Sequence, residues 1–101
     1  MQVPPPLFEA IALKKCVNAI YNKTDMTLAP QILYTKHGEV HLDAIPVKKR
    51  GEPPRDLKLA TFKLIGLSDI EIADGEIFLT DQVYDPADEK YDGVTVFAVE
   101  L

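Results

Sequence analysis

Glu39-Val40-His41-Leu42-Asp43-Ala44 is the stretch from which the rest of the chain is read. Val40, Leu42 and Ala44 fall on one parity and Glu39, His41 and Asp43 on the other, the period of two that a pleated strand imposes. It predicts a strand with one face in a core and the other in water. His37-Gly38 just before it is a turn, which places another strand upstream at about Thr27 to Tyr34. Pro30 lies inside that run and cannot donate to a ladder, so the strand is expected at an edge or bulged there.

Further upstream, Asn22-Lys23-Thr24-Asp25 reads as a turn closing a first strand that starts at Cys16, where Val17, Ala19 and Tyr21 alternate with Cys16, Asn18 and Ile20. Leu7, Ala10, Ile11 and Lys14 recur at helical spacing and predict a short helix from Leu7 to about Lys15. Pro6 sits in its first turn and Lys14-Lys15 at its cation-favouring end. Val3-Pro4-Pro5-Pro6 is an extended lead-in.

Downstream, Val47 to Pro54 contains Gly51 and Pro53-Pro54 and reads as a loop. A long strand is expected from near Asp56, with a change of phase around Ala60-Thr61 that a bulge or bend would explain. Such a bend curls a small sheet toward a barrel. Ile70 and Ile72, Asp74-Gly75, then Ile77 and Leu79 read as a hairpin. Asp85-Pro86-Ala87-Asp88 reads as one helical turn capped by Asp85, and Val94 to Leu101 as a last strand.

The chain of 101 residues has room for one domain, and 47% hydrophobic with 27% charged residues is a globular composition. A net charge of −5 opposes bulk attraction of polyanions. Lys48, Lys49, Arg50, Arg55 and Lys58 nevertheless form one local basic cluster, which as a plain charge run is a solvated loop and as a site would hold phosphate. With Cys16 as its only cysteine the chain has no internal disulfide, and the N-terminal run, interrupted by Glu9, lacks the form of a secretory signal. No apolar run reaches the ~20 residues that cross a bilayer. A cytoplasmic location, with no membrane association, is the expectation.

His37 and His41 stand four apart, but on a turn and strand that separates them by roughly 13 Å, too far to share a metal. Asp81, Asp85, Asp88, Glu89 and Asp92 miss the alternating spacing of a calcium loop and read as a solvated cap on the last strand. Ser68 is the only serine and lacks a nucleophile-elbow context; Cys16 reads as a small buried hydrophobe. No catalytic residue, metal or cofactor is expected, and the chain is expected not to be an enzyme.

Three blocks in order resemble the WYL domain, a module of many bacterial transcription regulators. They are Ala10 to Tyr21, with its Ala-Ile, basic pair and strand ending in tyrosine; Pro30 to Ala44, with proline, strand, glycine turn and strand; and Arg55 to Phe62, arginine followed by an apolar strand. The resemblance spans about residues 7–72 of a single domain covering 1–101. Val40 and His41 stand where the family has tryptophan and tyrosine, with Leu42 retained, and Ala60 and Thr61 replace the usual Asp-Arg pair. The resemblance implies a mostly β fold, a small Sm-like (SH3-type) barrel of about five to seven strands preceded by a short N-terminal helix.

It further implies a regulatory, ligand-sensing module that binds a nucleotide, single-stranded nucleic acid or other negatively charged ligand. Tyr21, His41, Arg55 and Lys58 are then the ligand-binding residues, cations for phosphate and rings for a base. The alternative is an interaction or self-associating module, a homo-oligomer or the docking piece of a protein partner, with a decayed ligand surface.

Overall fold

A computed structural model describes residues 3–80 and 83–100. One helix, α1 (Pro5–Leu13), precedes six strands: β1 (Cys16–Tyr21), β2 (Thr24–Lys36), β3 (Glu39–Lys49), β4 (Ala60–Lys63), β5 (Leu67–Ala73) and β6 (Thr95–Ala98). The sheet runs β4-β3-β2-β1-β5 with every pairing antiparallel, and β6 joins β2 off that path. β4 and β5, the two ends of the path, are consecutive in the chain through one 3-10 turn, Leu64–Gly66. That short link curls the sheet around a core of Leu7, Ile11, Val17, Leu28, Leu33, Leu42 and Phe62. Each fully buried Leu or Ile here contributes roughly 1.5–3 kcal/mol.

The helix forms where expected and buries Leu7, Ala10 and Ile11, but it starts and ends two residues early. Lys14 is its left-handed cap at φ 56°, outside the apolar stripe, and its N–H donates to the Ala10 carbonyl. The turns follow the sequence closely. Asn22-Lys23 and His37-Gly38 both have positive φ at each residue, the two-residue hairpin form whose twist matches that of the flanking strands. Lys23, a residue without glycine's freedom, accepts φ 61° there.

β2 is longer than expected and lies in the middle of the sheet. Pro30 sits at a bulge, where the β2–β3 register shifts between Pro30 and Ile32. The same residue marks a handover: β1 pairs with β2 up to Leu28, and β6 takes over from Ile32. A proline without an N–H fits the gap between two neighbours.

Several expectations are corrected. The face of β3 that carries His41 and Asp43 is buried, at 7% and 0% exposure: Lys90 and Tyr91 from the segment after β5 close over Asp43, and the Tyr34 ring of β2 stacks on His41. The strand expected from Asp56 begins only at Ala60, since the chain from Pro53 to Leu59 has no ladder partner; the phase change is the start of β4, and β3 itself continues to Lys49, two residues past the start of the expected loop. Ile77 and Leu79 form no strand. Their carbonyls accept from the Cys16 thiol and from Gln31 Nε2. Asp85 to Asp88 is a β-turn, with Ala87 N–H donating to Asp85 Oδ1, and is followed by a 3-10 turn, Glu89–Tyr91, capped by Asp88. The last strand is four residues, Thr95–Ala98. Asp81 and Leu101 lie outside the described residues.

Candidate functional site

Of the four expected ligand residues, Tyr21 is half-buried at the end of β1, its ring edge-on to Phe62 with centroids 5.0 Å apart. His41 is buried on β3, its Nδ1–H donating to the Glu39 carbonyl at 3.1 Å and its ring stacked on Tyr34 at 5.8 Å. That ring is already used as a stacking plane inside the protein. Arg55 and Lys58 are exposed in the loop before β4. No hydrogen bond, ion pair or ring contact joins any two of the four among the described residues.

Lys58 does line a groove of about 500 Å³ with the end of β3 and the turn after it. Lys48 and Lys49 come from β3, which extends past the expected loop boundary, and Arg50 follows in a turn whose closing residues, Lys49 and Glu52, exchange backbone hydrogen bonds of 2.8 and 3.0 Å. Gly51, at φ 80°, makes that tight reversal possible. Pro46, Pro53 and Pro54 supply apolar wall. Four cationic side chains face two carboxylates, Glu52 and Asp56, so the groove is locally basic on an acidic protein. Lys48 is held at 2.7 Å by Glu76, whereas Lys49, Arg50 and Lys58 make no ion pair among the described residues. A smaller groove of about 260 Å³ carries Asp25, Asp69 and Glu71 and would repel anions.

The densest polar cluster is elsewhere, and the sequence reading did not find it. Asp43 Oδ1 accepts from Tyr34 Oη at 2.8 Å and Thr61 Oγ1 at 2.7 Å; Oδ2 accepts from Lys90 Nζ at 2.8 Å and Tyr91 Oη at 2.5 Å. Burial alone would push this carboxyl up, but the donors Lys90, Tyr91, Thr61 and Tyr34 outweigh it and hold it below its ordinary range. Burial would lower Lys90, yet its bond to Asp43 raises it. Burial and then Asp43 raise Tyr34 and Tyr91. Each shift favours the state already present, a carboxylate among an ammonium and neutral phenols, which suits an ion pair between elements better than proton transfer.

Asp43 sits on an alternating strand, so its burial has no local signal. Tyr84 and Tyr91 within an otherwise acidic run were the available hint that this segment docks. Its carboxylates Asp85, Asp88, Glu89 and Asp92 are exposed, while Tyr84 and Tyr91 are buried. Cys16 is buried, and burial followed by the charge of Glu76 pushes its thiol up to about 11. No group of three His, Cys, Asp or Glu among the described residues is placed to hold a metal ion. No helix among them is long and apolar enough to cross a membrane.

No protein-family model, no curated protein and no solved structure matches the chain.

Proposed function

We propose that this chain is a non-catalytic, WYL-like regulatory module that takes an anionic ligand, a nucleotide or a short single-stranded nucleic acid, in the groove between the end of β3 and the loop before β4. The observation that carries the reading is the cluster of Lys49, Arg50 and Lys58 around one proline-walled groove, each without an internal counter-ion among the described residues. Cations free of partners can meet phosphate without first breaking a pair. The curled antiparallel sheet with β4 and β5 linked by one 3-10 turn is compatible with a small Sm-like barrel.

The weight of the site lies with Lys49, Arg50, Lys58 and the adjacent Arg55 rather than with Tyr21 and His41, whose rings pack on Phe62 and Tyr34. Calorimetric titration with nucleotides and short single-stranded DNA tests it. Heat that disappears in Arg50→Ala and Lys58→Ala supports the reading; no heat with the intact protein at low salt sinks it.

A second reading, self-association or docking to a protein partner, draws on the exposure of Ile65 at 74% and Ile77 at 77%. Light scattering behind size exclusion tests its first arm: a strict monomer at high concentration removes self-association and leaves docking to a separate partner.

A further inference from the structure

Asp43 is the one fully buried carboxylate among the described residues, and the cation that answers it comes from the surface. Lys90 is 42% exposed along its side chain, yet its ammonium lies 2.8 Å from Asp43 Oδ2. The same ammonium is 5.3 Å from the centre of the Tyr34 ring and 5.2 Å from that of Tyr91. A carboxylate on one side and two aromatic faces on the other is the set of groups that recognises an alkylammonium ion. A groove of about 550 Å³, with Tyr34, Lys36, His37, Gly38 and Lys90 in its wall, opens beside it and gives a route from solvent.

The other contacts of Asp43 do not depend on Lys90. Tyr34 from β2 and Thr61 from β4 hold Oδ1, and Tyr91 holds Oδ2 beside the lysine. The carboxylate therefore keeps its position and ionisation if the ammonium is exchanged for another. His41 on β3 stacks behind Tyr34, and Tyr84 packs beside Tyr91 with centroids 6.0 Å apart, so the rings are braced from both sides.

We propose that Asp43 with the rings of Tyr34 and Tyr91 forms a binding site for a primary alkylammonium group, filled in the free protein by Lys90 as an internal ligand. A competing ammonium entering from the groove takes the place of the Lys90 head group and frees the exposed Asp85–Lys90 stretch. The ligand class is an aliphatic amine or the lysine of a peptide; the site is separate from the basic groove and stands or falls independently of it.

Removing the internal ligand exposes the site. Lys90→Ala should lower the melting temperature, and n-butylammonium chloride should restore it along a saturating curve that potassium chloride at equal ionic strength does not give. The double variant Lys90→Ala with Asp43→Asn should show no such restoration. A response to butylammonium equal to that of potassium overturns the proposal. Putrescine and Nα-acetyl-lysine amide tell the sources apart, the lower half-saturation naming a free diamine or a peptide lysine.

Should Lys90→Ala fail to fold, the unaltered protein decides. About 100 mM butylammonium, enough to compete with a tethered group at millimolar effective concentration, should speed amide exchange across residues 85–90 at least about threefold over potassium chloride while leaving β2 and β3 unchanged. Equal exchange in the two salts overturns the proposal.

Discussion

Lys90 and Asp43, 47 residues apart in the chain, meet at 2.8 Å and bind the segment after β5 to the middle of the sheet. The pair joins a fully enclosed carboxylate to a cation at the surface, so its two halves carry different energetic weight. The exposed ammonium can be rehydrated if its partner is lost, whereas the carboxylate cannot.

Asp43→Ala should therefore be the most damaging single change in the polar part of the core. It leaves the hydroxyls of Tyr34, Tyr91 and Thr61 without their acceptor, and a loss of about 3–5 kcal/mol is expected. Lys90→Met should cost less. Urea denaturation of the two variants checks both the size and the order, and a loss under about 1 kcal/mol for Asp43→Ala would contradict the central role given to the carboxylate.

Acid should loosen the same tie. The folded-state pKa of Asp43 is depressed, so its contribution is fully present above the ordinary carboxylate pKa and fades as pH falls through the lower folded value. Stability measured from pH 7 down to pH 2 should thus show a component in the acid range that is absent in Asp43→Asn. Parallel curves for the two proteins would remove Asp43 from the acid response.

Gly66 is needed for space. A Cβ there would stand 2.7 Å from Tyr21 Cε1, and the ring is held edge-on by Phe62. Gly66→Ala should destabilise by about 1–3 kcal/mol through overpacking, and Tyr21→Leu should relieve part of that cost in the double variant. Additive losses in the thermal melts would exclude the clash.

Cys16 should be inert. Its thiol is buried, donates to the Ile77 carbonyl at 3.4 Å and is pushed up to about 11, so little thiolate exists near neutral pH. A disulfide reagent at pH 8 should label the native protein far more slowly than the denatured one. Equal rates would mean that the Ile77 segment opens freely.

Charge reversal in the basic groove should act on binding with little effect on folding. Lys49 and Arg50 are exposed and make no ion pair among the described residues, so Lys49→Glu and Arg50→Glu should shift the melting temperature little while abolishing the heat of nucleotide titration and its salt dependence. Unchanged titration heats would move the anion site away from this groove.

What the sequence by itself determined about this protein is local. Asn22-Lys23 and His37-Gly38 specify hairpin turns through backbone conformations that few residues accept, and Pro30 marks a break in pairing because it has no N–H. The alternation of Val40, Leu42 and Ala44 located the core face of β3, and Leu7, Ala10 and Ile11 the buried side of the helix. The basic run from Lys48 to Lys58 was visible as composition, though its gathering around one groove was not.

Only the tertiary structure decided the rest. Period-two alternation states which residues share a face and says nothing of what covers the second face; Asp43 and His41 looked solvent-facing for that reason. Asp43 is closed over by Lys90 and Tyr91, whose side chains reach its carboxylate from more than forty residues away, and His41 is covered by the Tyr34 ring stacked on it from the neighbouring strand. Likewise Ile77 and Leu79 have the pattern of a strand but lack a ladder partner, and their carbonyls turn to Cys16 and Gln31 instead. Long-range hydrogen bonds need an acceptor placed by the whole fold, and that placement has no period in the sequence.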